Sequence, residues 1–281
     1  MNTILISANK LDKIQQCHRL FNFTSVKDLT TQSKPVYMEE GDLFHHFLDL
    51  YYKAKIKSFD YNIDSLIELG RNHATELDLT SEIIDENIGL FREYVLYYQH
   101  DLWQPEESEV PFAEEIFIDK ENDFRIVLEG KIDLLAIDNK TNTSLVIDHK
   151  RVGRNLAPYD RDNQKLAYCL VTGRKDFIIN QIGDQKSLSV DKRMSRYYFN
   201  ISPHQLEEFV NNAIFWTFEM IKVMGLEKEG SFIPGSYKSC SYFGKKCSFY
   251  EVCNTTPDNV QYKLEQLFNK KEDHDLFRLE K

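Results

Sequence analysis

The chain has 281 residues, 45 acidic side chains against 35 Lys and Arg, a formal charge of −10 and 42% hydrophobic residues. That length suits one elaborate domain or two small ones. The acid excess excludes a simple coat protein held to nucleic acid by bulk charge, and no apolar run approaches the roughly 18 residues of a membrane span. Residues 1–10 hold only the short patch Ile4-Leu5-Ile6 and no signal-peptide layout, so an intracellular protein is expected. Five cysteines, an odd number, argue against a disulfide framework and for metal ligation by a spaced cluster.

In chain order, residues 8–20 read as a first helix, with Asn9 as a cap and Leu11, Ile14 and Leu20 at helical spacing. Residues 41–52 read as a second, with Leu43, Phe47 and Leu50 on one side. Residues 59–104 read as two helical segments, the second capped by Ser81 and carrying Ile84, Ile88, Phe91 and Val95. The period then changes. Residues 114–119, 125–137 and 144–150 read as strands, the last two joined by the polar turn 138–142. A helix is expected over 160–171, a strand over 196–201, and a long helix to about 224, with Ser202 as cap and Pro203 at its first position. Residues 230–256 are loop-rich, and the charged tail follows 261. There is no internal repeat. The pattern predicts an α/β protein with a helical subdomain in front: a helical region over 1–110, an α/β core over 111–230, a cysteine-bearing segment over 231–260 and the tail 261–281.

Side chains alternate along a strand, so Asp148 and Lys150 share a face with Val146, and Ile147 and His149 face away. A hairpin with the preceding strand would bring Asp133 beside Asp148. Two carboxylates with nearby carbonyls suit Mg²⁺ or Mn²⁺. Such an ion activates water and neutralises a phosphate, and Lys150 could hold the water or the developing charge. The plainer reading of Asp148 and Lys150 is an exposed ion pair. Gln164 and Tyr168, four apart, share a helical face that is either a polar stripe or part of the site. His45 is a further candidate metal ligand. His46 would point about 100° away on the same helix. Lys150, Arg151, Arg154, Arg161, Lys165, Arg174 and Lys175 form the densest basic stretch, either a solvated face or a contact for phosphates.

Taken in order, Gly41 to His45, Glu115, Gly130 to Asp133, Asp148-His149-Lys150 and Gln164 to Tyr168 resemble the motifs of the RecB-like branch of the PD-(D/E)XK nuclease superfamily. The opening segment from Ser7 through Cys17 is similar to that branch as well. The resemblance covers about residues 7–253. It implies a restriction-endonuclease-like core, a mixed central sheet flanked by helices. It also implies a metal held by His45, Asp133, Asp148 and the His149 carbonyl, with Lys150 as the catalytic lysine. Gln164 and Tyr168 match an additional active-site motif, and Glu115 an acid on a preceding strand. Arg151, Arg154, Arg161 and Lys165 would contact DNA. The chain departs from the branch at His149 and Arg151, where Tyr and Thr are common, and at His18, where Pro is frequent.

Cys17 with Cys240, Cys247 and Cys253 resembles the iron–sulfur clasp of AddB-type and CRISPR-associated RecB-like nucleases, which would hold a [4Fe–4S] cluster and tie the termini together. The six residues between Cys240 and Cys247 exceed the usual two. A structural Zn²⁺ site and free buried thiols are the alternatives. Cys169, among Leu166, Ala167 and Leu170, reads as a core thiol. The resemblance implies a Mg²⁺- or Mn²⁺-dependent deoxyribonuclease, an exonuclease on single-stranded or frayed DNA ends. The other readings are a sequence- or structure-specific endonuclease and a non-catalytic DNA-binding or assembly subunit. No Gly-rich Lys loop of the Walker type is present, so a helicase, recombination or CRISPR partner chain would have to supply strand separation. No membrane partner is implied.

Overall fold

The computed structural model describes residues 2–32, 35–57, 62–153, 162–242 and 245–270. In chain order these form β1 (Asn2–Ile6), α1 (Ala8–Gln16), α2 (His18–Phe21), β2 (Leu29–Thr31), α3 (Val36–Ile56), α4 (Ile63–Glu76), α5 (Ser81–Tyr97), β3 (Trp103–Asp119), β4 (Phe124–Asp138), β5 (Ser144–Val152), α6 (Asn163–Thr172), β6 (Asp176–Gly183), α7 (Val190–Arg193), β7 (Met194–Asn200), α8 (Pro203–Lys228), β8 (Ser241–Tyr242), β9 (Lys245–Lys246), α9 (Tyr250–Cys253), α10 (Val260–Leu267) and β10 (Phe268–Lys270). The fold is mixed α/β, with a mixed sheet flanked by helices, the class expected from the sequence. Among the described residues no helix is long and apolar enough to cross a membrane.

The chain divides into two compact units: Met1–Lys34, Ala113–Gly130 and Glu207–Lys281, and Pro35–Phe112 with Lys131–Leu206. In the first unit β1 runs parallel to the start of β4, with Ile4 opposite Ile126. A small core gathers Phe23, Phe249, Val252, Leu264 and Phe268. In the second, the end of β4 pairs antiparallel with β5, β5 runs parallel to β6, and β6 runs antiparallel to β7. Its core packs Phe44, Phe47, Tyr51, Phe91 and Tyr94 of α3 and α5 with Leu134, Ile147, Ile178 and Ile182 of the strands. Gly70 allows α4 to approach α3, since a Cβ there would lie 2.1 Å from the Phe47 ring.

Several boundaries differ from the sequence reading for local reasons. Ser7, not Asn9, caps α1: its hydroxyl accepts from the Lys10 N–H at 3.3 Å. The helix breaks at Cys17, whose backbone is extended, before α2 resumes. Thr80, not Ser81, caps α5, accepting from the Ile83 N–H. The second helix is 21 residues long, starting after Pro35. The turn at 138–142 is held by Asp138, whose carboxylate accepts from the N–H groups of Lys140 and Thr141. Ser202 and Gln205 form a capping box at the start of α8. Two strands of the large sheet went unread, β1, taken as a short apolar patch, and β6, as did the short strands β2, β8, β9 and β10. β6 is buried along nearly its whole length, so it lacks the alternation that marks a half-exposed strand.

Candidate active site

The register Leu134↔Ile147 places the next positions, Asp133 and Asp148, side by side where the pairing of β4 with β5 ends, in the middle of each strand. The His149 N–H donates to Asp133 Oδ2 at 2.8 Å. From α3, His45 Nδ1 lies 3.5 Å from the same oxygen. Both carboxylates are withdrawn from water. Burial pushes the Asp133 carboxyl up to about 6, with the nearby Lys150 charge opposing. Burial pushes Asp148 up to about 7, again against Lys150, with Asp133 adding to the rise. Burial likewise depresses the His45 imidazole, which leaves it a neutral nitrogen donor.

Lys150 is held from two sides. Its ammonium donates to Asp148 Oδ1 at 2.9 Å and to Gln164 Oε1 at 2.8 Å. Burial alone would lower the Lys150 ammonium; Asp148 and Asp133 beside it carry it above its usual value instead. Gln164 and Tyr168 lie one turn apart on α6, and the Gln164 amide donates to the Tyr168 hydroxyl at 2.7 Å. Tyr168 then donates to the Lys131 carbonyl at 2.5 Å. Asp162 sets the helix start, its carboxylate accepting from the Gln164 N–H at 2.8 Å. One hydrogen-bonded line therefore runs from the acid pair through the lysine to a helix and back to β4.

A residue the sequence reading passed over joins this group. Glu109 on β3 offers a carboxylate oxygen that lies with a ring nitrogen of His45 and a carboxylate oxygen of Asp133 within 4.8 Å of one another. It is ion-paired with Lys131. Glu115, singled out as the acid of this strand, pairs instead with Arg125 at 3.7 Å in the first unit. The signal for Glu109 was weak. Its φ of 55° is left-handed, so strand alternation fails there and cannot say which acid faces inward.

The basic stretch is less available than the sequence suggested. Lys165 is fully buried, its ammonium 3.7 Å from the centre of the Phe199 ring. Arg151 is 6% exposed and paired with Glu40 and Asp184. Neither side chain presents an open charge to a strand of DNA, a correction to the expected contact role that follows from burial. Arg154 and Arg161 lie outside the described residues. His46, by contrast with His45, lies against His73, ring centres 4.0 Å apart and planes tilted by 32°.

In the first unit, Cys17, Cys240, Cys247 and Cys253 all line one small cavity with Arg19, Phe249 and Tyr250. All four are free thiols. Cys17 Sγ accepts from the Ser236 N–H at 3.3 Å, and the Cys247 N–H donates to the Cys240 carbonyl at 2.9 Å. Burial raises the Cys247 and Cys253 thiols, with Arg19 opposing at Cys253. No three of the four sulfurs lie within 4.8 Å of one another. Zn–S bonds of about 2.3 Å in a tetrahedral site would set all four about 3.8 Å apart.

Comparison with known proteins gives three findings. A family model described as the PD-(D/E)XK nuclease superfamily matches residues 5–254. No curated protein matches. Among solved structures, a Eubacterium rectale protein bearing a provisional exonuclease name is 12% identical with a TM-score of 0.44, over 90% of this chain and 94% of that one. The structure of SSO0001 is 16% identical with a TM-score of 0.33, over 63% of this chain and 73% of that one.

Proposed function

We propose, from the premise that this chain belongs to the PD-(D/E)XK nuclease superfamily, that it is a metal-dependent DNA nuclease working where the pairing of β4 with β5 ends. The observation that carries this reading is the line Asp148, Lys150, Gln164 and Tyr168, joined by side-chain hydrogen bonds within one unit, with Asp133 held beside it by the His149 N–H. A lone exposed ion pair would not bury its carboxylate to 2% exposure or brace its lysine from a second element.

The donor set suits a hard divalent cation. Two carboxylates raised by burial, one imidazole and a main-chain carbonyl are ligands for Mg²⁺ or Mn²⁺. His45, Asp133, Asp148 and the His149 carbonyl would hold it, with Glu109 as a further carboxylate. Such an ion supplies positive charge at the scissile phosphodiester and makes water a better nucleophile. The protein's own part is placement. Asp148 and Gln164 hold the Lys150 ammonium in one direction, where it stabilises charge developing on the phosphate or fixes the attacking water. Tyr168 orients the Gln164 amide, so that its oxygen faces Lys150.

The preferred activity is exonucleolytic, on single-stranded or frayed ends, as the ordered RecB-like motifs imply. The four cysteines would hold a [4Fe–4S] cluster as a structural clasp, with a Zn²⁺ site as the alternative; what supports a shared site is the one cavity they line. The test is cleavage of 5′- and 3′-labelled single-stranded, duplex and forked DNA by anaerobically purified protein, with Mg²⁺, Mn²⁺ or EDTA. Metal-dependent stepwise products that disappear in Lys150→Ala support the reading. Internal cuts would favour an endonuclease, and no cutting of any substrate by folded wild type would favour a binding subunit.

A further inference from the structure

Behind the catalytic carboxylates lies a buried polar row across three strands. His149 of β5 is in register with Asn180 of β6, and Asn180 with Arg196 of β7. Residues in register across neighbouring strands point to the same side, and His149 points away from its neighbours Asp148 and Lys150. The flanking rows hold Ile147 and Ile178 on one side, and Ile182 and Met194 with the ion-paired Arg151 on the other. His149 and Asn180 are 2% and 0% exposed.

The hydrogen bonds in this row have one consistent direction. Asp101, 1% exposed, grips Arg196 with both carboxylate oxygens at 2.7 and 2.9 Å. The rings of Tyr98 and Trp103 lie 3.6 and 3.5 Å from the guanidinium. Arg196 is donor-only, so its Nε–H donates to Asn180 Oδ1 at 3.4 Å and fixes which end of the amide faces it. The amide nitrogen must then face the other way. It donates to the Tyr94 hydroxyl and to His149 Nδ1, each at 2.9 Å. A ring nitrogen that accepts carries no proton, so the His149 proton sits on Nε2, which is buried with no partner among the described residues. Tyr52 stacks on the ring at 5.4 Å with planes 14° apart, and donates to or accepts from Tyr94 at 2.6 Å. Turning the ring over would set Cδ2–H against the Asn180 amide N–H, and moving the proton to Nδ1 would set two N–H groups against each other.

We infer that Asn180, oriented by Arg196 and Asp101, is a positioning residue for the catalytic site: it locks the His149 ring in one tautomer and one orientation, and through that residue the main chain that holds Asp133 and whose carbonyl would serve a bound metal. The link to the chemistry is the His149 N–H, which donates to Asp133 Oδ2 at 2.8 Å. An apolar row of similar volume would serve the fold as well or better, because burying charged and polar groups costs more than packing hydrocarbon. What the polar row adds is direction, at the one strand position that lies between Asp148 and Lys150. Partners outside a metal's immediate ligands commonly set its affinity by fixing ligand orientation.

The inference rests on the metal reading of the site, and its test separates the two. In ¹⁵N-histidine-labelled protein, with His149 assigned by its loss in His149→Gln, the ring is expected as the Nε2–H tautomer. Asn180→Asp keeps the size and the bond from Arg196 but can only accept, so it is expected to reverse the tautomer to Nδ1–H. Asn180→Leu is expected to weaken Mn²⁺ binding about 10- to 100-fold at an unchanged circular-dichroism spectrum. Should that variant fail to fold, the isosteric Asn180→Asp carries the test through its tautomer and its Mn²⁺ affinity. Wild type in the Nδ1–H form, or folded variants that bind Mn²⁺ as wild type does, overturn the inference alone. A folded wild type that binds no Mn²⁺ overturns the metal reading and the inference with it.

Discussion

The Lys150 ammonium reaches Gln164 Oε1 at 2.8 Å across the gap between a strand and a helix. That contact gives the lysine a second brace besides Asp148, and a long flexible side chain with two fixed acceptors loses most of its rotamer freedom before substrate arrives. The two members of the line should therefore differ in what their loss costs. Lys150→Ala removes the charge itself and is expected to lower turnover about 10²- to 10³-fold, as for a lost transition-state donor. Gln164→Leu leaves the charge and the Asp148 contact, so the loss should be smaller, about tenfold, with substrate affinity little changed. Single-turnover cleavage of labelled DNA measures both. Equal losses would mean that the brace is as essential as the charge.

The acid pair predicts a pH dependence with opposite signs for metal binding and stability. Asp133 and Asp148 hold their protons up to about 6 and about 7 because burial disfavours their charged forms. A cation needs both deprotonated. Mn²⁺ affinity should rise between about pH 5 and pH 8 and level off once both protons have left. In EDTA the effect reverses. Folded values above the unfolded reference of about 3.9 mean the contribution to stability is full below about pH 4 and is lost as pH rises through 6 and 7. The thermal midpoint of metal-free protein should thus lose ground over that window, and Asp148→Asn should lose less. An Mn²⁺ affinity flat across the range would contradict the assignment.

Much of this site was readable before the fold was known, and the reasons are local. Strand alternation puts Asp148 and Lys150 on one face, and the polar turn at Asp138 predicts the hairpin that sets Asp133 opposite. A four-residue step puts Gln164 beside Tyr168. Glu109 escaped because its left-handed φ breaks the alternation that would have marked it, and Glu115 took its place. Lys165 escaped for another reason. Charge in a sequence reads as solvent-facing, and only the packed helix shows its ammonium stacked over Phe199. In β6 the pair Asn180-Gln181 interrupts an apolar run, which hid both the strand and the polar row it carries.

Glu109→Gln tests whether the overlooked acid belongs to the metal group. The amide keeps the shape and removes the charge. If Glu109 contributes a ligand, Mn²⁺ affinity should fall about 10-fold or more, the scale on which altered metal surroundings act. Lys131→Ala frees the same carboxylate from its ion pair and is expected to move affinity the other way, modestly, because that lysine is 59% exposed and exposed pairs are weak. Calorimetric Mn²⁺ titrations of the two variants would show opposite shifts. A Glu109→Gln titration that overlays wild type would leave the ion to His45, Asp133 and Asp148 alone.

Gly70 offers a test of packing in which two effects compete. Replacing a mid-helix glycine by alanine stabilises the helix by about 1 kcal/mol. Here the new Cβ would meet the Phe47 ring at 2.1 Å. Phe47 is fully buried and stacked on Phe91 at 5.1 Å, so the ring cannot swing clear without disturbing α5. Overpacking of this kind costs about 1–3 kcal/mol. The collision should win, and Gly70→Ala should lower the urea midpoint by an amount equivalent to about 1 kcal/mol. A raised midpoint would mean that α4 moves away from α3 at little cost.

Cys17 and Cys169 should respond differently to the same substitution. Cys17 stands in extended backbone between α1 and α2, faces the cavity lined by Cys240, Cys247 and Cys253, and accepts from the Ser236 N–H. Cys169 is fully buried in the second unit, and burial pushes its thiol up to about 12, so it remains a protonated, inert core group. Cys17→Ala should therefore lower both the thermal midpoint and the content of bound metal, with little effect on turnover per loaded molecule. Cys169→Ala should keep its metal content and lose only packing energy. Iron, sulfide and zinc analysis of anaerobically purified protein distinguishes a cluster from a zinc site in the same experiment. A Cys17→Ala protein with full metal content and the wild-type midpoint would remove the clasp from the account and leave the cavity thiols as free cysteines.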